Sequence, residues 1–198
     1  MKILVLSPHV DDAEICMGGF IKDHAEHCHV VFYSKCDIPN VEHEVSKSMK
    51  ALGVKHWYIK DHKRRYMNME KQLILQDMIE MGRFDYVFAP HPDDYHQDHK
   101  TISEAAIRAF GRKASLHFYL WPPNMLTMPA RLFHILTPES LDAKVKAVLS
   151  YRSQVKLRPV IFNEQYLTSQ AIAMGSLIEC KYAEAFDVYR GELSIRKT

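Results

Sequence analysis

Short apolar runs that alternate with helix-like segments are the feature that most limits what this chain can fold into. Residues 3–6 (Ile-Leu-Val-Leu) are apolar without interruption, which is typical of a strand buried on both faces of a parallel sheet. Similar runs follow at 30–33, 57–59, 84–89 and 116–120. The segments between them have helical patterning, at 12–26, 42–52, 69–81 and 98–110. This alternation predicts an α/β class: a Rossmann-like three-layer fold, with a mostly parallel twisted sheet and helices on both faces.

The rhythm changes after residue 120, but no linker separates a second domain. A proline-rich loop is followed by a predicted strand at 132–136, helices at 138–151 and 164–180, and a last strand near 185–188. A length of 198 residues is typical of one domain. We therefore expect a single domain over 1–198, with a core at 1–120 and a C-terminal extension at 121–198.

Composition and charge indicate a globular protein without a nucleic-acid partner. The 26 Lys and Arg residues nearly balance the 24 Asp and Glu residues, which leaves no basic footprint. The cysteines have no C-x-x-C spacing, so we expect reduced thiols at Cys16, Cys28, Cys36 and Cys180. Polar residues break the first apolar run too early for a signal peptide or a membrane span. We expect a cytoplasmic protein with no stable membrane insertion, and the sequence leaves a homo-oligomer open.

Ligand-type side chains are concentrated directly after the first and fourth predicted strands. The first cluster contains His9, Asp11 and Asp12, and the second contains His96, Asp98 and His99. In open α/β sheets the binding crevice lies at the carboxyl ends of the strands, so both clusters belong to the expected crevice. Neither has the glycines of a phosphate-binding loop, which argues against a nucleotide cofactor.

The residue types in these clusters suit a hydrolytic metal site. Such a site needs about three protein ligands and an open position for water, and two His with one carboxylate are a recurrent set. His9 and Asp12 can face one ion, and His99 or His96 can complete the set. Asp11 diverges from Asp12 and is left as a base. Acidic residues at helix starts can also be simple N-caps, but two such clusters at one edge favour the metal site.

These residues resemble the LmbE-like or PIG-L family of metal-dependent N-deacetylases. The resemblance lies in segment 9–14 with the following Gly18-Gly19, and in the His-Pro-x-Asp-x-His-x-Asp-His stretch at 91–99. Segments 151–154 and 182–186 are similar to late motifs of that family, so nearly the whole chain is covered. The resemblance implies a zinc-dependent hydrolase that removes acetyl from an N-acetylated amino sugar, a small-molecule N-acetylglucosamine-type conjugate.

The resemblance also implies a role for each motif residue. It assigns the zinc to His9, Asp12 and His99, although ferrous iron also suits such ligands. It makes Asp11 the general base and His96 the residue that stabilises the oxyanion, as an imidazolium, with Asp98 orienting it. The general acid that returns a proton to the amine stays open between Asp11 and His96.

One departure from the family concerns substrate binding. Family members usually carry an Arg near the start of the second helix, and that place falls at about Val41 here, with Glu44 in the acidic position. A basic segment at 60–65 could replace it through Arg64 or Arg65, or could be a solvated loop. Trp121 opens a loop that could be an apolar wall for a sugar, or an ordinary packed loop.

Two other functions fit parts of the pattern. A metal-dependent phosphoesterase would need two ions and could recruit His91, Asp93 and Asp94. A non-catalytic metal-binding or carbohydrate-binding module would not need Asp11 in addition to the ligands.

Overall fold

One seven-stranded sheet forms the centre of the computed structural model, which describes residues 1–35 and 39–191. Its strands are β1 (Ile3–His9), β2 (Cys28–Ser34), β3 (His56–Ile59), β4 (Tyr86–Pro90), β5 (Ser115–Tyr119), β6 (Leu132–Ile135) and β7 (Ala183–Arg190). Their order is β3-β2-β1-β4-β5-β7-β6. The first five strands in this order pair in parallel, whereas β7 is antiparallel to β5 and β6. The prediction of a mostly parallel sheet is confirmed.

The predicted helices are present, with small differences at their ends, and the structure adds a short helix at 152–157 that the sequence did not predict. They are α1 (Asp12–Asp23), α2 (Val41–Leu52), α3 (Lys71–Glu80), α4 (Gln97–Phe110), α5 (Pro138–Leu149), α6 (Arg152–Leu157) and α7 (Glu164–Ser176). The helix predicted to reach residue 180 ends at Ser176. A Cβ on Gly175 would lie 2.6 Å from the carbonyl oxygen of Cys180, so the chain turns back closely over the end of α7.

The two faces of the sheet are covered by different helices. Ile3 and Val5 of β1 belong to a core cluster with residues of α1, α2 and α5. Leu4 and Leu6, on the opposite face, belong to a cluster with residues of α3 and α4. These four side chains are at most 1% exposed, and each contributes about 1.5–3 kcal/mol by burial. Burial on both faces confirms the three-layer architecture.

The C-terminal segment extends the same sheet. β7 lies between β5 and β6, so strands from both sides of residue 120 are hydrogen-bonded to each other. The division into a core and an extension stays a prediction. Cys16, Cys28 and Cys180 are free thiols, and Cys36 lies outside the described residues. Within residues 1–35 and 39–191, no helix has the length and apolar character that a membrane crossing requires.

Helix α1 is kinked, and β7 satisfies the backbone groups near the kink. Met17 has non-helical angles (φ −143°, ψ 28°), and the N–H groups of Gly19 and Phe20 donate to Glu184 of β7 over 2.9 and 2.7 Å. Lys144 of α5 donates to the same carboxylate over 2.7 Å. A Cβ on Gly19 would lie 2.4 Å from the end of the Leu136 side chain, so a larger residue would require that side chain to shift. The contacts fix the helix whose first turn carries Asp12.

Candidate active site

The carboxyl ends of β1 and β4 bring the two ligand clusters together. His9 is the last residue of β1, and Asp12 is the first residue of α1. His96 is the N-cap of α4, and His99 lies in its first turn. Because β1 and β4 are neighbours in the sheet, the rings of His9, His96 and His99 lie 4.8 to 5.3 Å apart, centroid to centroid.

His9, Asp12 and His99 form a compact and buried group of candidate metal ligands. Oδ2 of Asp12 lies 3.1 Å from Nδ1 of His9 and 3.1 Å from Nε2 of His99, and the candidate ligand atoms all lie within 4.8 Å of one another. Ligands bound tetrahedrally to one zinc at 2.0–2.2 Å are about 3.3 Å apart. The spacing and the nitrogen and oxygen donors therefore fit a divalent metal such as zinc.

The outer nitrogens of the His9 and His99 rings each lie against a further carboxylate, a different one for each ring. Nε2 of His9 lies 2.9 Å from Oδ2 of Asp98, and Nδ1 of His99 lies 2.7 Å from Oδ2 of Asp94. Metal-binding histidines characteristically donate their other N–H to such a carboxylate, which fixes the tautomer and the ring orientation. His9, His96 and Asp98 form an alternative group, but there Asp98 would act as a ligand instead of an outer partner. The arrangement favours His9, Asp12 and His99.

The charges around this group also favour a cation. Burial lowers the pKa of His99, but the neighbouring carboxylates of Asp12 and Asp94 outweigh it and raise that pKa to about 10. Burial likewise works against ionisation of Asp12, yet His99 and His9 hold its pKa well below the usual range. The pocket therefore stabilises positive charge beside an ionised Asp12.

Asp11 has an environment unlike that of Asp12. Its backbone is left-handed (φ 94°), and its side chain caps no N–H of α1, so the carboxylate is not an N-cap. Burial raises its pKa, and the charges of Asp12 and Glu14 raise it further, while Arg158 and Arg64 oppose them. A carboxyl with a raised pKa beside candidate metal ligands is suited to accept and return a proton.

His96 is held as a neutral ring with one defined donor. Its Nδ1 accepts the backbone N–H of Asp98 over 3.1 Å, so the proton of the ring is on Nε2. Burial, together with the charges of His9 and His99, lowers its pKa to about 4. In this structure the ring is therefore a neutral N–H donor, and the imidazolium role expected from the sequence stays a prediction. The carboxylate of Asp98 instead contacts His9 and the backbone N–H of Arg65, and its role in orienting His96 stays a prediction.

The predicted substrate-binding residues differ in their access to the site. Arg64 is half-buried and Arg65 is exposed. Their loop contacts the site through the backbone N–H of Arg65, which donates to Asp98. Trp121 is only 2% exposed, and the guanidinium of Arg158 lies 5.8 Å from its ring centroid. The ring is therefore covered in this structure and supports Arg158.

The position of the missing family Arg offers no cation. Val41 is 2% exposed and packs in the core. Glu44 accepts the backbone N–H and the hydroxyl of Ser153, over 2.9 and 2.6 Å. This end of α2 therefore anchors the start of α6.

Sequence reasoning missed the roles of Asp94 and Arg158. The Asp-x-His spacing of Asp94 and His96 offered a signal, because it lies just before the helix that carries His99. No local signal marks Arg158, whose proximity to Asp11 arises only from tertiary folding.

His91 pairs with Asp187 over 3.1 Å, and Asp93 is exposed, so His91 and Asp93 do not assemble a second metal site.

The fold and the buried ligand group define an α/β protein that carries, among its described residues, a candidate metal site at the carboxyl edge of its sheet. A model of the PIG-L family, described as GlcNAc-PI de-N-acetylase, matches residues 4–110, which is more than half of the chain. The chain belongs to the PIG-L family. A search of curated proteins finds no significant match.

Solved structures share this fold at low sequence identity. The conserved protein TT1542 from Thermus thermophilus is 21% identical, with a TM-score of 0.82 over 100% of this chain and 99% of that chain. The N,N'-diacetylchitobiose deacetylase from Pyrococcus horikoshii is 21% identical, with a TM-score of 0.71 over 94% and 83%. The zinc-inhibited form of the teicoplanin deacetylase Orf2 is 16% identical, with a TM-score of 0.74 over 95% and 97%.

Proposed function

We propose that this protein is a metal-dependent N-deacetylase that removes acetyl from an N-acetylated amino sugar, of the N-acetylglucosamine conjugate type. The observation that carries the proposal is the buried His9, Asp12 and His99 group, with a second carboxylate on each ring and Asp11 beside it. Membership in a family described as GlcNAc-PI de-N-acetylase supports the amide chemistry. The shared fold with two proteins named as deacetylases is consistent with it.

His9, Asp12 and His99 would hold the metal. Two imidazoles and one carboxylate suit zinc, and they also suit ferrous iron. When bound, such an ion polarises a carbonyl oxygen and lowers the pKa of water. Asp98 and Asp94 keep the two rings in position from outside, since each accepts the outer N–H of one ligand histidine.

Asp11 takes the proton of the attacking water. Its carboxyl lies at the turn between β1 and α1, one residue before a candidate ligand, and it is not used as a helix cap. The raised pKa makes it a stronger base than an ordinary aspartate. Its strained left-handed backbone is typical of residues held for function.

His96 donates a hydrogen bond from Nε2 to the carbonyl oxygen as the tetrahedral oxyanion forms. A fixed N–H donor at this position stabilises developing charge without reorganisation. The C–N bond then breaks, and the amine leaves with a proton. Asp11, which has just gained a proton, supplies it, because a neutral His96 that gave up its Nε2 proton would become an imidazolate.

The phosphoesterase and the binding module are weaker alternatives. In the described part of the chain, both candidate ligand groups use His9, so they do not provide separate sites for two ions. A binding module does not need a buried base of raised pKa beside its ligands.

Amine release from a panel of N-acetylglucosamine conjugates tests the proposal. Metal-depleted protein is assayed before and after addition of zinc or ferrous iron, with Asp11→Asn as the inactive comparison and a phosphate ester as the alternative substrate. We expect amine release that depends on the metal and on Asp11. Phosphate release without amine release would favour the phosphoesterase, and the absence of both would favour the binding module.

A further inference from the structure

A cavity of about 320 Å³ is lined by residues of α7, α1, α5 and β7 and by the proline-rich segment 121–130. Its deeply buried lining residues include Ile15 and Cys16 of α1 and Ala185 of β7, which are at most 8% exposed. Small-molecule sites in proteins have volumes of about 300–1,000 Å³. The cavity is therefore large enough for a small ligand.

Helix α7 turns one stripe of side chains toward the cavity. The lining residues on this helix are Tyr166, Gln170, Ala173 and Met174, and a spacing of four, three and one residues places them on one face. From the other side, Pro122 and Met128 line the cavity. All six are exposed or half-buried, so the cavity is accessible from solvent between α7 and segment 121–130.

Both of these sides are free of charged residues. Segments 121–130 and 165–178 contain no Asp, Glu, Lys or Arg, although these residues make up 25% of the whole chain. A surface helix normally carries charged residues on its solvent face. The uncharged sides favour an apolar ligand over a charged one.

The polar side chains in the cavity wall already have partners. Lys144 donates to Glu184 over 2.7 Å, and Glu184 also accepts two backbone N–H groups of α1. The Gln170 amide donates to the Tyr166 hydroxyl over 2.7 Å. Because these bonds would have to be broken, a polar ligand gains little here, whereas an apolar ligand gains from removal of its surface from water.

Helix α1 connects the cavity to the candidate active site. Cys16 lines the cavity and follows Asp12 by four residues, in the part of the helix that precedes the kink at Met17. Side chains four residues apart lie on one helix face, with about 5–6 Å between their Cβ atoms. The cavity therefore adjoins the candidate metal group without sharing its ligands.

We propose that this cavity is a binding site for an unbranched hydrocarbon chain of a small ligand. Met128 and Met174 suit such a ligand, because flexible thioether side chains adapt to an irregular apolar shape. The chain can belong to a free amphiphile, or to an N-acyl group longer than acetyl that is bound at the adjoining site. The proposal goes beyond the proposed function, since binding of a chain requires no amide bond.

A series of 1-alkanols from butanol to decanol tests the cavity on the full chain, with dissociation constants measured by calorimetry. We expect binding to tighten by about 4-fold for each added CH₂ group until the cavity is filled, and then to stay constant. Non-specific association with apolar surface has no such limit. The chain length at which the affinity stops rising therefore measures the cavity.

Two variants should move this limit in opposite directions. Ala173→Leu adds three carbon atoms at an exposed lining position and should shift the limit to shorter alkanols. Met128→Ala removes three heavy atoms at a half-buried position and should shift it to longer ones. Gln165→Leu is the matched control, because it places a leucine on an exposed position of α7 outside the cavity, and its limit should equal that of the parent.

A parallel series of N-acylglucosamines identifies the source of the chain. If the same variants shift the limit of this series, the N-acyl chain occupies the cavity; if they shift only the alkanol series, the ligand is a free amphiphile. The absence of alkanol binding at millimolar concentration overturns the proposal, as does a chain-length dependence that neither variant changes. Variant-dependent alkanol binding without amine release from any conjugate supports the cavity and contradicts the deacetylase, whereas amine release without alkanol binding does the reverse.

Discussion

Asp11 and Asp12 are adjacent in the chain, yet their surroundings give their carboxyl groups opposite protonation preferences. Burial raises the pKa of Asp11, whereas His99 and His9 overcome the burial of Asp12 and lower its pKa. The backbones of the two residues also differ, because Asp11 is left-handed whereas Asp12 is the first residue of α1. At the scale of single residues, the two side chains are therefore suited to different tasks, proton transfer and metal binding.

Asp11→Asn should keep the fold and the metal but lower kcat by about 10²- to 10⁴-fold, because it removes only the general base. Asp12→Ala should lose metal affinity and all activity, because it removes the candidate metal ligand that contacts both His9 and His99. Steady-state kinetics and metal analysis of both variants measure the difference. Turnover of Asp11→Asn near the parent rate would exclude Asp11 as the base.

The pH profile provides an independent measurement on Asp11. The base acts only when ionised, and burial raises its pKa above the ordinary value of 3.8. Activity should therefore fall as the pH decreases through this raised pKa, on the acidic limb of kcat/KM. The limb should shift or disappear in Asp11→Asn. An identical limb in parent and variant would assign it to another group.

At the scale of secondary-structure elements, a buried ion pair connects α1, α5 and β7. Lys144 and Glu184 have side chains only 3% and 2% exposed, and Glu184 also accepts two N–H groups after the kink in α1. The pair therefore supports the helix whose first residue is Asp12. Removing one partner leaves the other charge buried without compensation.

Glu184→Gln should lower the free energy of unfolding by about 3–5 kcal/mol, as for other broken buried pairs. The double variant with Lys144→Met should lose less than the sum of the two single losses, since the partners are coupled. Asp142→Asn is the matched control, because its pair with Lys146 on α5 is exposed and contributes at most about 1 kcal/mol. Urea denaturation measures all four, and additive losses would contradict the coupling.

The strands could be predicted from the sequence, but some helix ends could not. A continuous apolar run such as 3–6 has few alternatives to a central strand. By contrast, α7 ends where the chain folds back onto Gly175, a tertiary contact without a local signal. The candidate site likewise combines residues that local sequence patterns indicate with residues that only tertiary packing brings close. Motif spacing predicts His9 and Asp12 with either His96 or His99, and the family resemblance selects His99. The charge of Arg158 acts on Asp11 only through the packing of α6.

At the scale of the whole molecule, the candidate metal group joins segments that are distant in the chain. His9 ends β1, His99 lies in α4, and Asp98 links both to the loop at 65–67. A metal that binds only the folded protein stabilises it by about 2.7 kcal/mol at 100 times its Kd. For a domain of this size that corresponds to roughly 5–10 °C in Tm.

A chelator should therefore lower the Tm of the parent protein by this amount and leave the Tm of His99→Ala unchanged. Thermal unfolding followed by circular dichroism measures the shift. His91→Ala is the control, because His91 pairs with Asp187 outside the ligand group. It should be destabilised by the lost pair but should keep the chelator response. An equal chelator response in His99→Ala would place the metal elsewhere.

The metal content of the purified protein tests the central claim most directly. Mass spectrometric metal analysis should find close to one zinc or iron ion per chain in the parent and in His91→Ala, and almost none in His99→Ala. That result would assign a single ion to the His9, Asp12 and His99 group. Two ions per chain, or full occupancy in His99→Ala, would contradict the account.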